Sequence, residues 1–216
     1  MKSLSPVEIL KDLVAFPSTS KRTNVDIALY LEHHLARLGF DIIKIASVDE
    51  PERRNLLCKI GPDVEGGLML SGHMDVVPVV GQAWDSDPFV LTEKDGKLFG
   101  RGTADMKGFI AATCSALTDY PLDRLNKPLI LLFTYDEEVG CVGSAQAAPL
   151  LSRHMRYLPK ACIIGEPTDF HILRMHTGHV TVRIHIKGKG VHSSDPRLGI
   201  SAIKGLYHAL EGLFAL

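Results

Sequence analysis

Three short apolar runs, each followed by a histidine or by acidic residues, constrain the fold of this chain more than any other feature. The runs lie in GLMLSG (67–72), PLILLFTYDEE (128–138) and ACIIGEP (161–167). A short, continuously apolar segment is typical of a strand that is buried on both faces. Helical patterns separate the runs, and this alternation predicts an α/β fold with a mostly parallel central sheet flanked by helices.

Other local patterns predict the remaining elements of this α/β unit. The stretch Ser5–Glu8 has the form of a capping box with proline at the first helical position, and it predicts a helix to about Phe16. Asn24 is expected to cap a second helix that stops at Gly39. Apolar periodicity predicts two further strands and two further helices, over 40–46, 55–61, 106–120 and 142–153.

The sequence pattern changes after Phe170. HILRMH (171–176) and HVTVRIHIKGKG (179–190) alternate apolar and polar residues, as strands do in a sheet with one solvated face. Asp195-Pro196 is expected to open a helix over 196–214. We therefore predict a first domain and the start of a second, α+β domain, over 1–175 and 176–216.

Composition and charge exclude several classes of partner. The 216 residues include 24 basic and 25 acidic side chains, which leaves no basic surplus for nucleic acid or for an anionic membrane. No apolar stretch reaches the length of a transmembrane helix. Glu8, Lys11 and Asp12 interrupt any signal-peptide core, so we expect a cytoplasmic protein. The four cysteines form no C-x-x-C pair and are expected to be reduced.

Polar residues follow the apolar runs at the points where strands should end. His73 and Asp75 come after the first run, and side chains at i and i+2 of an extended segment project to the same side. In an open α/β sheet, ligands bind outside the carboxyl ends of the strands. Asp105 is expected at the start of a helix near the same edge. The residues expected to converge there are His73, Asp75, Asp105, Glu137, Glu138 and Glu166.

This convergence predicts a metal site. Five carboxylates cannot share a small site at neutral pH unless cations neutralise them, because like charges disfavour ionisation. One imidazole with several carboxylates suits zinc, cobalt or manganese better than calcium or magnesium. Hydrolases commonly bind two metals about 3.5–4 Å apart, which lower the pKa of bound water to roughly 7. A free glutamate beside them could accept the proton of that water.

Six motifs in a fixed order carry a family resemblance: GHMDVVP (72–78), WDSDPF (84–89), DGKLFGRGTADMKG (95–108), DEEVGCVGS (136–144), IIGEPT (163–168) and GVHSSDPRLGISAI (190–203). Together they resemble the two-zinc aminoacylase, carboxypeptidase and deacetylase family, over essentially the whole chain. The resemblance implies a zinc-peptidase-like catalytic domain over 1–175 and the beginning of an inserted lid and dimerisation domain over 176–216. It also implies a homodimer joined through the lid domain.

The resemblance further implies a set of metal ligands for two zinc ions, with cobalt or manganese as alternatives. His73 would bind one zinc and Asp105 would bridge both. Glu166 would complete the ligands of the first metal, and Glu138 would bind the second. The second-metal histidine and the groups that grip the substrate carboxylate in the family have no counterpart up to Leu216. Family members are considerably longer, so the chain is expected to be a fragment.

Three catalytic roles are implied in the same way. Glu137 resembles the general base that activates the metal-bridging water. Asp75 would orient the His73 ring, as second carboxylates beside metal ligands do. His192, in GVHSS, resembles a lid-domain histidine that helps to stabilise the tetrahedral oxyanion and reaches the neighbouring subunit's site. From the residues alone, the favoured interpretation of His192 is a polar residue in a turn before a helix.

The implied reaction is hydrolysis of N2-acetyl-L-ornithine to L-ornithine and acetate, a step of arginine biosynthesis. N-succinyl-diaminopimelate, other N-acylated amino acids and short peptides remain alternatives, because the metal site does not distinguish them. A non-catalytic metal-binding or dimerisation module is the alternative class. A magnesium-dependent phosphate enzyme ranks last, since Gly100, Gly102 and Gly108 do not have the spacing of a phosphate-binding loop.

Overall fold

The structure is a computed structural model that describes residues 4–175, 178 and 180–215. The chain divides between His171 and Ile172 into two compact units. In the described part of the first unit, the helices are α1 (Pro6–Val14), α2 (Val25–Arg37), α3 (Gly108–Asp119), α4 (Val142–Ala147) and α5 (Leu151–His154). The strands are β1 (Asp41–Ala46), β2 (Arg54–Ile60), β3 (Leu68–His73), β4 (Thr92–Lys94), β5 (Lys97–Phe99), β6 (Leu129–Thr134) and β7 (Ala161–Ile164).

A five-stranded sheet with the order β1-β2-β6-β3-β7 forms the centre of the first unit. Strand β3 pairs in parallel with both β6 and β7, whereas β2 is antiparallel to both of its neighbours. Four of the five strands therefore run in one direction, and the predicted α/β fold with a central sheet flanked by helices is confirmed. The carboxyl ends of β3, β6 and β7 lie at the same edge, where His73 is in register with Thr134.

Both faces of the inner strand β6 are covered, which explains its unbroken apolar run. Along β6, Leu131 and Phe133 pack into the core beside α1, α2 and α3. The alternate residues Ile130 and Leu132 pack on the other face, with Ala147 of α4. The run over 161–167 differs: all four residues of the edge strand β7 are exposed, so the burial that its pattern indicates is not observed. The hairpin of β4 and β5 forms a separate two-stranded sheet.

The start of α1 agrees with its sequence, whereas the start of α2 differs. Ser5 and Glu8 form the predicted capping box, since Ser5 Oγ accepts from Glu8 N and Glu8 Oε2 accepts from Ser5 N. Asn24 makes no side-chain cap. Its amide instead donates to the carbonyl of Arg54 at 2.8 Å and accepts from Arg54 N at 2.9 Å. The predicted cap was wrong because the two bonds to the first residue of β2 use both ends of the amide.

The predicted helix over 142–153 is broken into α4, a 3-10 turn at Ala148–Leu150, and α5. Pro149 accounts for the break, because proline removes a backbone donor and clashes with the preceding turn. The predicted strand over 128–138 ends earlier, at Thr134, and its last four residues form the turn that carries the acidic cluster.

The second unit contains one α-helix in its described part, α6 (Ala202–Phe214). The predicted start at 196 is wrong: Gly199 is extended, and Ser201 caps the helix by accepting from Lys204 N at 3.2 Å. The described residues within 171–190 form no strand, although their pattern alternates, and they make a single isolated bridge between Lys189 and Ile200. A strand needs a partner for its backbone groups, and a local pattern does not supply one.

His176 and His179 of the predicted strands, and Thr177 between them, lie outside the described residues. No helix in the described ranges combines the length and the apolar character that a membrane span requires.

Candidate metal centre

His73 lies at the centre of the candidate site. It is the last residue of β3 and is only 1% exposed. Its Nδ1 atom lies 2.8 Å from the backbone oxygen of Asp75, and its Nε2 atom lies 3.0 Å from Asp105 Oδ1. Nε2 also lies 3.8 Å from Glu166 Oε1 and 3.9 Å from Glu137 Oε2. One imidazole nitrogen thus faces three carboxylates that come from three different segments of the chain.

Asp105 reaches the site from the turn Thr103–Lys107, which precedes α3. The peptide bond between Asp105 and Met106 is cis. Two residues later, the buried Lys107 donates through Nζ to the carbonyls of Leu13 and Phe16 at 2.9 and 2.8 Å. The turn is thereby tied to the C-terminal end of α1, where a cation also complements the helix dipole.

Asp75 joins the histidine strand to the acidic turn that follows β6. Its Oδ1 accepts from Glu137 N at 3.0 Å, and its Oδ2 accepts from Glu138 N at 3.4 Å. Ser20 Oγ donates to the same Oδ2 at 2.7 Å. The Asp75 carboxylate lies 3.5 Å from His73 Nδ1, farther than the Asp75 backbone oxygen. The side chain therefore holds the backbone of Glu137 and Glu138, and the ring contact is mainly through the backbone.

The first acid of the DEE motif has a different place from the other two. The Asp136 carboxylate accepts from Lys21 N at 2.7 Å and pairs with the guanidinium group of Arg53. Behind it, the buried Asn55 accepts from Tyr135 N at 3.3 Å and donates to the Gly143 carbonyl at 3.0 Å. These bonds fix both ends of the turn, so that its middle presents Glu137 and Glu138.

The pKa values of the site follow from crowded charge. Burial lowers the pKa of His73, but hydrogen bonds to Asp105 and Asp75 outweigh it and raise the pKa to about 11. Burial, followed by the charge of Asp105, raises the pKa of Glu138 to about 7. Burial also raises the pKa of Glu166. Carboxylates that raise each other's pKa in this way are stabilised as anions by a cation.

Two sets of three side chains place one potential ligand atom each within 4.8 Å of one another. The sets are His73, Asp105 and Glu138, and His73, Glu137 and Glu166. The structure therefore brings together five of the residues singled out from the sequence, and Asp75 lies beside them. One imidazole and four carboxylates form a donor set of the kind that zinc, cobalt and manganese accept.

His192 belongs to the second unit, and its role stays a prediction. Its Nδ1 atom lies 2.8 Å from Ser194 Oγ and accepts from Ser194 N at 3.2 Å. This local turn corresponds to the alternative in which His192 is a polar residue before a helix.

Sequence reasoning missed three residues that hold the site: Ser20, Asn55 and Lys107. Cys141 follows the acidic cluster in the sequence, and its Sγ atom lies 3.5 Å from Glu137 Oε1. Cys141 has a left-handed backbone at the N-terminus of α4, with φ of 56°. No spacing or composition signal marks Ser20, Asn55 or Lys107, because each bonds to a segment that is distant from it in the sequence.

Comparison with known proteins identifies a family and a relative that this chain is similar to. Residues 69–213 match peptidase family M20/M25/M40. The chain is 39% identical over 224 residues to an acetylornithine deacetylase of Shigella sonnei, with 100% of this chain and 57% of that protein covered. The chain thus spans little more than half the length of this relative.

Solved structures show the same fold. A tripeptidase from Staphylococcus aureus has a TM-score of 0.66 and 19% identity, covering 98% of this chain and 56% of that one. An M20 family metallo-carboxypeptidase from Sulfolobus solfataricus has a TM-score of 0.62 and 23% identity, covering 76% of this chain and 37% of that one.

Proposed function

Because the chain belongs to peptidase family M20/M25/M40, we propose that it carries the metal site of an amide hydrolase that deacetylates N2-acetyl-L-ornithine. The products are L-ornithine and acetate, as in arginine biosynthesis. The observation that carries the proposal is the approach of three carboxylates to the Nε2 atom of one buried histidine, His73. The identity of 39% to an acetylornithine deacetylase supports this substrate.

The residues present fit one zinc ion and part of the ligand set of a second, for which cobalt or manganese can substitute. We assign His73 and Glu166 to one metal, Glu138 to the other, and Asp105 to both. Both sets of ligand atoms within 4.8 Å of one another contain His73, which supports one crowded site around this histidine; the division of the ligands between two metals rests on the family resemblance. When bound, such a pair lowers the pKa of water and polarises the substrate carbonyl.

Glu137 is the proposed general base. Its side chain is 35% exposed at the rim of the site, and Asp75 holds its backbone in place. Glu137 takes a proton from the attacking water as the water oxygen bonds to the acetyl carbon. It then delivers that proton to the amine nitrogen as the carbon–nitrogen bond breaks. Acetate and the free amine of ornithine leave.

We also propose roles for the second unit, for His192 and for the whole protein. The second unit is the start of a lid and dimerisation domain, through which two copies form a homodimer. His192 donates to the oxyanion of the tetrahedral intermediate, which is commonly worth about 3–4 kcal/mol of the barrier. The whole protein acts in the cytoplasm, on a small N-acylated amino acid.

Acetate release by the natural gene product tests the proposal, with zinc or cobalt added and N-succinyl-diaminopimelate assayed in parallel. We expect selective turnover of N2-acetyl-L-ornithine that a chelator abolishes. Preference for the succinyl substrate, or for other acyl amino acids or peptides, would contradict the assignment of the substrate but agree with the proposed mechanism. Hydrolysis of none of them would favour a non-catalytic metal-binding or dimerisation module.

A further inference from the structure

A short segment between α1 and α2, Ser18–Lys21, lies alongside the chain that follows the histidine strand. Val76 N donates to the Ser18 carbonyl at 3.0 Å, and Ser20 N donates to the Val76 carbonyl at 3.1 Å. Thr19 and Val76 form a parallel bridge. At its end, Lys21 N donates to Asp136. The segment therefore contacts both the chain that follows the histidine strand, which ends at the candidate ligand His73, and the acidic turn, which carries the candidate ligand Glu138.

Within this segment, the hydroxyl group of Ser20 is directed at a carboxylate. Ser20 Oγ lies 2.7 Å from Asp75 Oδ2 and 3.4 Å from the Val76 carbonyl, so its one proton goes to Asp75. Ser20 is 9% exposed and Asp75 is 2% exposed. Water therefore has little access to replace this hydrogen bond.

The other bonds of the same carboxylate lead to the proposed catalytic turn. Oδ1 accepts from Glu137 N, and Oδ2 accepts from Glu138 N. Removing the Ser20 hydroxyl removes the shortest hydrogen bond to Asp75 Oδ2. The Asp75 carboxylate is then free to rotate. Rotation moves the acceptors that hold the backbone of Glu137 and Glu138.

We propose that Ser20 is a positioning residue of the metal centre. Its hydroxyl fixes the Asp75 carboxylate, and through it the position of Glu137 and Glu138 relative to His73. The inference deepens the proposed function and depends on its metal site, but not on the identity of the substrate.

Ser18 offers a matched control within the same segment. Its hydroxyl is also buried, with 4% exposure, and it donates to the Met74 carbonyl at 2.6 Å. Replacing Ser18 by alanine removes one buried hydrogen bond to the same strand end without touching Asp75. A purely structural role of the segment would make the two serines equivalent.

Cobalt titration of the natural gene product, followed by visible absorption, tests the proposal without any substrate. We expect Ser20→Ala to weaken Co²⁺ binding about tenfold, and Ser18→Ala to change it by less than about twofold, as outer partners of metal ligands affect affinity at this scale. Thermal unfolding of the metal-free proteins should show a similar loss of stability for both variants.

Equal Co²⁺ affinity in Ser20→Ala and the parent protein, or equal weakening by both alanine variants, would overturn the proposal. If Ser20→Ala does not fold, Ser20→Thr and Ser20→Val replace it, since these side chains have the same shape and only threonine retains the hydroxyl. Weaker binding in the valine variant supports the proposal, and equal binding overturns it. If the parent protein does not hydrolyse acetylornithine, only the assignment of the substrate is contradicted. If the parent protein binds no Co²⁺, both the proposed metal site and the role of Ser20 are contradicted.

Discussion

The backbone of Gly165 lies so close to the Phe109 ring that a Cβ atom at position 165 would fall 1.9 Å from Cγ of that ring. Phe109 stands in the first turn of α3, and Gly165 directly precedes Glu166. The contact therefore sets the separation between the turn that carries Asp105 and the segment that carries Glu166. A side chain at position 165 would therefore push apart two segments that each carry a candidate metal ligand.

We expect Gly165→Ala to lower the free energy of unfolding by about 1–3 kcal/mol, because overpacking displaces backbone or ring. It should also weaken metal binding, since Glu166 moves with its neighbour. Urea unfolding and Co²⁺ titration measure the two effects. Gly212→Ala is the control: no heavy atom lies within 4 Å of a Cβ atom there, in α6, so neither property should worsen. Unchanged metal affinity in Gly165→Ala would show that the contact does not position Glu166.

The roles of the two adjacent glutamates can be separated. Glu137→Gln should reduce kcat about 10²–10⁴-fold, the usual contribution of a general base, and leave metal content unchanged. Glu138→Gln should instead reduce metal content. Acetate release gives the first quantity and elemental analysis the second. Retained turnover in Glu137→Gln would refute its assignment as the base.

Metal binding should stabilise the folded chain, because the ligands converge only in the native state. Added Zn²⁺ at about a hundred times its dissociation constant should raise the free energy of unfolding by about 2.7 kcal/mol, and a chelator should reverse the gain. Differential scanning calorimetry with and without the chelator measures the change. A double variant, Asp105→Asn with Glu138→Gln, serves as control and should show no shift with zinc. An unchanged transition in the parent protein would contradict the metal site.

Acid should destabilise the first unit partly through His34, which lies outside the metal centre. Burial lowers the pKa of His34 below its usual 6.5, against a hydrogen bond with the Cys114 carbonyl, and the neighbouring charge of Arg37 lowers it further. The unfolded chain then binds a proton more readily than the folded chain, so stability is lost as pH falls below 6.5. His34→Gln should flatten this part of the stability profile, measured by urea unfolding. An identical slope in parent and variant would exclude His34 as its source.

The location of the site was predictable because its signals are local. An apolar run that ends in histidine or acid indicates a strand and the side chains at its end, and this is how His73 was found. Burial was predicted less well, because β7 lies at the edge of the sheet and its four residues are exposed. Parallel pairing of β3 with β6 and β7 then brings these ends together. The family resemblance assigned the individual roles, which the distances alone do not distinguish.

The supports of the site were not predictable, because they join segments that no pattern relates. Ser20 and Asp75 are 55 positions apart, Asn55 and Gly143 are 88 apart, and Lys107 and Leu13 are 94 apart. Periodicity reports which face of an element is apolar, but not which distant backbone group meets a buried polar side chain. The same limit explains why the predicted cap at Asn24 was wrong. Its side-chain amide bonds to the backbone at the start of β2 and not to the start of α2.

The order of the strands also determines when the candidate metal ligands can first come together. Strand β3 lies between β6 and β7, both of which follow it in the sequence. On the ribosome, the histidine strand is therefore made long before either neighbour, and it waits as an exposed apolar segment, the kind that aggregates. Its last candidate ligand in the first unit, Glu166, emerges only after β7. Assembly of the candidate metal centre is thus a late event of biosynthesis, and a chain released before that point would present an unpaired strand and an incomplete set of candidate ligands.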